Sequence, residues 1–248
     1  MDPDLKFSNT SPQVYARIGG LLYLVIILAG ILGEVFIRSK LFVSGDPGAT
    51  AKNLMASEGL WRIGIAGDLV MHLCDVPLML IFYLLLRPVS KHLALLAILF
   101  NLVQTAVLVA NKLNLLSALF FLGNVEYLKV FKPEQLQALS YLPIKLHSYG
   151  FGVGLLFFGF VCLVEGYLIY RSVYLPRFLG VLMQIAGVCY LVNSFALILA
   201  PWLADSLFPF ILLPPFVAEL ALCLWLLVKG VNMREWERRQ LLLRNKKY

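Results

Sequence analysis

The segment Ile63–Leu86, IGIAGDLVMHLCDVPLMLIFYLLL, decides how this chain folds. Its length and apolarity are those of a helix that crosses a bilayer, which takes about 20 residues at about 1.5 Å each. Yet it carries Asp68, His72 and Asp75. Ionisable groups in hydrocarbon are expensive, and they face a protein interior or a water-filled cavity. At about 100° per residue the three side chains fall within about 60° of arc, so they line one face of one helix. That face is expected to point into the protein. Pro77 follows Asp75 by two positions. It removes an amide donor and crowds the carbonyl of Leu73, so a kink is expected beside the polar face.

The rest of the chain is built in the same way. Of its 248 residues, 60% are hydrophobic and 14% charged, with a mean hydropathy of +0.83. Soluble domains are about 45–50% apolar and about 25% charged. The expected fold class is therefore all-α, a polytopic membrane helical bundle. The net charge is +7, but basic residues in such a chain set topology, and no nucleic-acid partner is expected. The cysteines, at 74, 162, 189 and 223, all lie in apolar segments. They read as buried thiols, not as disulfides or thiolate metal ligands. The first apolar run, Ile18–Ile37, exceeds the roughly 7–15 residues of a signal-peptide core and reads as a retained span.

Six spans are expected, at about 18–37, 63–86, 93–111, 149–170, 178–200 and 210–228. They form one membrane domain, 18–228, between a polar lead, 1–17, and a basic tail, 229–248. The longer connections hold two short amphipathic helices. One is Ala49–Trp61, after the turn Ser44-Gly45-Asp46-Pro47-Gly48; the other runs from Pro133 to about Leu142. Trp61 and Arg62 are placed at the interface. Periodicity leaves open whether 115–122 continues the third span or lies on the surface. Pro214-Pro215 is expected to interrupt the sixth span, and Asp205 to sit in a brief loop.

Six spans put both termini on one side. That side carries thirteen basic residues: Lys6, Arg17, Arg87, Lys91, Arg171, Arg177 and seven in the tail. The other side carries eight: Arg38, Lys40, Lys52, Arg62, Lys112, Lys129, Lys132 and Lys145. The bias places both termini in the cytoplasm, and both amphipathic helices outside. Depth along each span then puts Glu34, Asp68, His72, Asn111, His147 and Asn193 in the outer half of the bilayer. Asp75, Gln104 and Glu219 fall near the middle, and Glu165 and Gln184 in the inner half. A polar cavity in the outer half is the expectation. Its candidate ligand-binding residues are Asp68, Asp75, His147, Glu34, Asn111 and Gln104.

Two chemistries are open to this set. Asp68, His72 and Asp75 could ligate a divalent metal, although HExxH is absent. The carboxylates could instead pair with Arg62 and Lys112, or be protonated and hydrogen-bonded to Asn and Gln on other helices. Gly150 and Gly154 form a GxxxG spacing that lets a neighbouring helix approach closely. No GxSxG or Ser-Lys pattern supports a serine nucleophile, and no cofactor is named by the residues.

Phe157-Phe158-Gly159, Gly166-Tyr167-Leu168-Ile169-Tyr170-Arg171-Ser172, Leu175-Pro176-Arg177, Leu179-Gly180-Val181-Leu182 and Ala186-Gly187 carry a likeness to a known family. Ala16-Arg17-Ile18, Gly20-Leu21-Leu22-Tyr23, Asp68, Cys74-Asp75 and Leu86-Arg87-Pro88-Val89 add to it. Over about 15–230 the chain resembles the bacterial integral membrane family known as domain of unknown function 4386. The resemblance implies a small multi-span protein of the bacterial cytoplasmic membrane with no assigned activity. Its pattern includes Asp68, Asp75 and His147, but not His72 or Glu165. A shorter internal echo pairs Arg17-x-x-Gly20-x-Leu22 with Arg177-x-x-Gly180-x-Leu182, and Ala66-Gly67-Asp68-Leu69 with Val217-Ala218-Glu219-Leu220. The leading functional expectation is binding or transport of a small amphiphile, lipid or ion, with membrane lipids as partners. The alternatives are a structural or assembly subunit and an intramembrane metal-assisted hydrolase or lipid-modifying enzyme.

Overall fold

The computed structural model describes residues 11–245. Lys6, Lys246 and Lys247, used above for topology, and the first ten residues of the lead lie outside them. In chain order the helices are α1 Pro12–Leu41, α2 Pro47–Ala56, α3 Glu58–Leu86, α4 Lys91–Leu122, α5 Pro133–Arg171, α6 Arg177–Leu199, α7 Pro201–Leu207, α8 Phe210–Val228 and α9 Met233–Asn245. No strand occurs among the described residues. Six of these helices, α1, α3, α4, α5, α6 and α8, are long and apolar enough to cross a membrane. The molecule is a multi-pass integral membrane bundle.

The spanning helices form a closed ring. Each packs on the next in the order α1, α3, α4, α5, α6, α8, and α8 returns to α1. Glycine sets the tightest seams. A methyl group at Gly166 would lie 2.7 Å from the Gly180 carbonyl oxygen, and one at Gly187 would lie 2.7 Å from that of Gly159. Both helices space these glycines by seven residues, so α5 and α6 meet backbone to backbone along one antiparallel edge. The Gly150/Gly154 pair receives Asn111 and Leu108 of α4, as its spacing predicts. At the other closure, Gly20 of α1 meets the backbone of Cys223 and Leu227 on α8.

Several segments differ from the sequence expectation. The run 115–122 continues α4, where Leu115, Ala118 and Leu119 form a core with Trp61 and Ile144. Trp61 is buried there, and its indole N–H donates to the Leu115 carbonyl at 3.0 Å. Arg62 alone stays outside, paired with Glu58 at 2.8 Å. The second amphipathic segment is helical but not separate: α5 runs unbroken for 39 residues through Pro143. The connection after α1 holds this projecting end. Phe42 stacks on Tyr141 with centroids 5.1 Å apart, and the Gly45 amide donates to the Tyr141 hydroxyl at 2.7 Å. Pro214 and Pro215 sit in the first turn of the α-helical part of α8, where their missing amides cost nothing, so they do not interrupt the span. Asp205 lies on the short helix α7.

At the end of the bundle that holds Gln13 and Lys229, Leu85, Leu86, Leu179, Met183, Leu222 and Leu226 form part of one buried core. The Tyr174 hydroxyl donates to the Leu85 carbonyl, and the Gln13 side chain bridges the Lys229 carbonyl and the Val231 amide, each at 2.9 Å. Gly230 has φ +66°, and a side chain on it would strike Gln13, so both constraints call for glycine.

Candidate functional site

The ring encloses a cavity of about 640 Å³. Its walls are mostly apolar, and polar groups occupy two regions. One lies toward the face opposite the termini, built from α1, α3, α4 and α5. The other lies deeper, where α3, α4, α5, α6 and α8 meet.

The first region is a buried ion cluster centred on Asp68, whose side chain is 1% exposed. Arg38 approaches it with Nη1–Oδ2 at 2.6 Å, and Lys112 with Nζ–Oδ2 at 2.9 Å. Arg38 also binds Glu34 at 2.6 Å. Two cations and two carboxylates therefore neutralise one another. Local backbone geometry makes this possible. Residues Leu32–Arg38 form a π-helical stretch within α1, a wider turn that redirects side chains and recurs at functional sites. Gly33 completes it, because a methyl group there would lie 2.8 Å from Asp68 Oδ1 and 3.1 Å from Arg38 Nη2.

His147 joins the cluster through Lys112, with Nζ and Nε2 3.4 Å apart. Its backbone carbonyl accepts from Asn111 Nδ2 at 2.8 Å, and Asn111 Oδ1 accepts from Asn114 at 2.8 Å. His72 is buried on the same wall, and its Nε2 has no hydrogen-bond partner.

The second region holds three carboxylates. Asp75 accepts from the Thr105 hydroxyl and, at 3.4 Å, from Asn101 Nδ2. Glu219 accepts from the Tyr190 hydroxyl. Glu165 is buried, faces the cavity, and has no hydrogen-bond or ion-pair partner among the described residues. Tyr23, Phe82 and Phe158 line this end, and Gln104 lines the wall between the two regions.

The predicted polar face of α3 therefore does face inward, but its members do separate work. Asp68 belongs to the ion cluster, Asp75 to the deeper region about 10 Å along the helix, and His72 to neither. No group of three His, Cys, Asp or Glu side chains among the described residues converges as a metal site would require. Of the two expected cation partners, Lys112 does bind Asp68, but Arg62 does not. Its place is taken by Arg38, which the sequence alone marks only as a topology determinant. The spacing of Glu34 and Arg38, opposite charges four residues apart at the end of a span, was the available signal. Tyr190 and Thr105 left no such mark, since each matters only through the helix it faces.

Comparison with known proteins adds family but not chemistry. The model of the family described as Domain of unknown function (DUF4386) matches residues 18–230. An uncharacterized protein of the archaeon Archaeoglobus fulgidus is 27% identical over 172 residues, covering 69% of this chain and 86% of that protein. No solved structure matches.

Proposed function

We propose that this chain, which belongs to the DUF4386 family, binds a small amphiphile in the central cavity and takes it up from the surrounding membrane. The observation that carries the reading is the cavity itself. At about 640 Å³ it lies within the size range of small-molecule sites, and it combines apolar walls with a few convergent polar groups. A packing role alone does not call for a void of this size, because protein interiors fill such space with side chains.

The route in lies between α1 and α8. They are in close contact at Gly20 and Cys223. Farther from the termini both instead line the cavity, α1 through Ile27, Ile31 and Val35, and α8 through Leu212 and Phe216. An amphiphile passing between these cavity-lining ends would enter from one leaflet. With the termini in the cytoplasm, as the basic-residue bias suggests, that leaflet is the outer one.

Asp68 has a different part in this reading. Tied to both Arg38 and Lys112, it locks α1, α3 and α4 together and leaves ligand contact to the groups deeper in the cavity.

The test uses protein purified in a neutral detergent. Native mass spectrometry is expected to find a retained lipid or amphiphile. Gly30 lines the cavity with only Met71 nearby, at 3.6 Å, so Gly30→Trp should fill the void and expel the ligand while the melting temperature holds. A wild-type protein that retains nothing, and whose melting no amphiphile shifts, would sink the proposal.

A further inference from the structure

We infer that the deep end of the cavity is a subsite for a lipophilic organic cation, such as a protonated or quaternary amine, held by Glu165 together with Asp75 and Glu219. The inference rests on the binding reading above and specifies the charge of the ligand.

Charge distribution is the first argument. Six carboxylates line the cavity, Glu34, Asp68, Asp75, Glu165, Asp205 and Glu219, against two fixed cations, Arg38 and Lys112. Both cations are consumed in the Asp68 cluster. No ion pair among the described residues reaches Asp75, Glu165 or Glu219.

The second argument is Glu165 itself. Its residue is 6% exposed, it opens onto the cavity, and none of the described residues donates to its carboxylate. A buried carboxylate without a partner is costly. Asp75 and Glu219 have hydroxyl and amide donors, which settle individual lone pairs but supply no counter-charge. Asn101 Oδ1 nearby is also buried and unpaired, and it too is an acceptor. The end of the cavity thus presents acceptors in want of a positive donor.

Aromatic rings are the third. Tyr23, Phe82, Phe158 and Tyr190 line the same end. Aromatic faces attract cations, by about 2 kcal/mol or more where water is excluded. Carboxylates among rings, with an apolar channel leading to them, suit a cation that carries hydrocarbon. An anionic head would meet repulsion here, and at the Asp68 cluster it would find cations already neutralised.

The experiment compares two ions of one shape and opposite charge, tetraphenylphosphonium and tetraphenylborate, titrated by calorimetry into protein in neutral detergent. The phosphonium is expected to bind saturably and at least tenfold more tightly than the borate. Glu165→Gln, which keeps the shape and removes the charge, is expected to weaken phosphonium binding at least tenfold. Glu58→Gln on the outer surface should not change it. Equal binding of the two ions, or full phosphonium affinity in Glu165→Gln, overturns the inference. So does failure of both ions to bind. Retained lipid in native mass spectrometry would then show that the cavity binds amphiphiles without preferring cations, whereas no retained ligand would end both proposals. Because the ion pair is read on the unaltered protein, the result stands even where a variant fails to fold.

Discussion

Replacing Asp68 by asparagine tests the ion cluster most directly. The change keeps the side-chain shape and removes one charge at a position that is 1% exposed. Arg38 keeps Glu34 at 2.6 Å, so it is not stranded. Lys112 is. Its side chain is 4% exposed, and its other near neighbour, His147 Nε2, lies 3.4 Å away. Removing one partner of a buried ion pair costs about 3–5 kcal/mol, mostly from the charge left behind. Because only one of the two cations loses its sole counter-ion, the lower end applies, about 3 kcal/mol. For a chain of this size that corresponds to a fall in melting temperature of about 6–12 °C. The decisive measurement is a double-mutant cycle with Lys112→Met, which removes the stranded charge while filling its space. The double variant should be more stable than Asp68→Asn alone, with a coupling energy of about 2 kcal/mol in thermal or denaturant unfolding in detergent. An Asp68→Asn loss below about 1 kcal/mol, or strict additivity with Lys112→Met, would refute the account of Asp68 as a lock.

The remaining predictions concern packing. Gly33→Ala should cost about 1–3 kcal/mol, because its methyl group intrudes on both Asp68 and Arg38; a melting scan reads it, and an unchanged Tm would show that the π-helical stretch adapts. Gly180→Leu should do more, since its Cβ meets the backbone of Gly166 and Tyr170, which rotamer changes do not relieve. Loss of the monodisperse folded species in size-exclusion chromatography is expected, and normal recovery would count against the glycine seam. Trp61→Phe removes one indole hydrogen bond to a helix carbonyl and should cost about 1 kcal/mol, measured by the same unfolding assay.

Much of this architecture is legible in one dimension. Whether a stretch crosses a membrane depends on about 20 consecutive residues and the absence of water around them, so Ile63–Leu86 announces its role without reference to any other segment. The inward face of α3 is equally local, since three polar residues on a helix define an arc by their spacing alone. The close approach at Gly150 and Gly154 is likewise written in their spacing, whereas the α5–α6 glycine seam shows only once the two helices are packed.

Pairing between helices belongs to the tertiary structure. Arg62 lies close to Asp68 in the chain and Arg38 lies one span away, yet both sit at the end of a span. Which one reaches Asp68 depends on the relative depth and rotation of α1 against α3, and on a π-helical turn that shifts Arg38 into register. The same holds for Glu165. Its place late in a span was legible, but a carboxylate there reads alike whether it meets a lysine, a tyrosine or a void. Only the closing of six helices into a ring decides that it opens onto a cavity, because charge compensation is set by distances across the bundle, and the spacing of residues along the chain does not encode them.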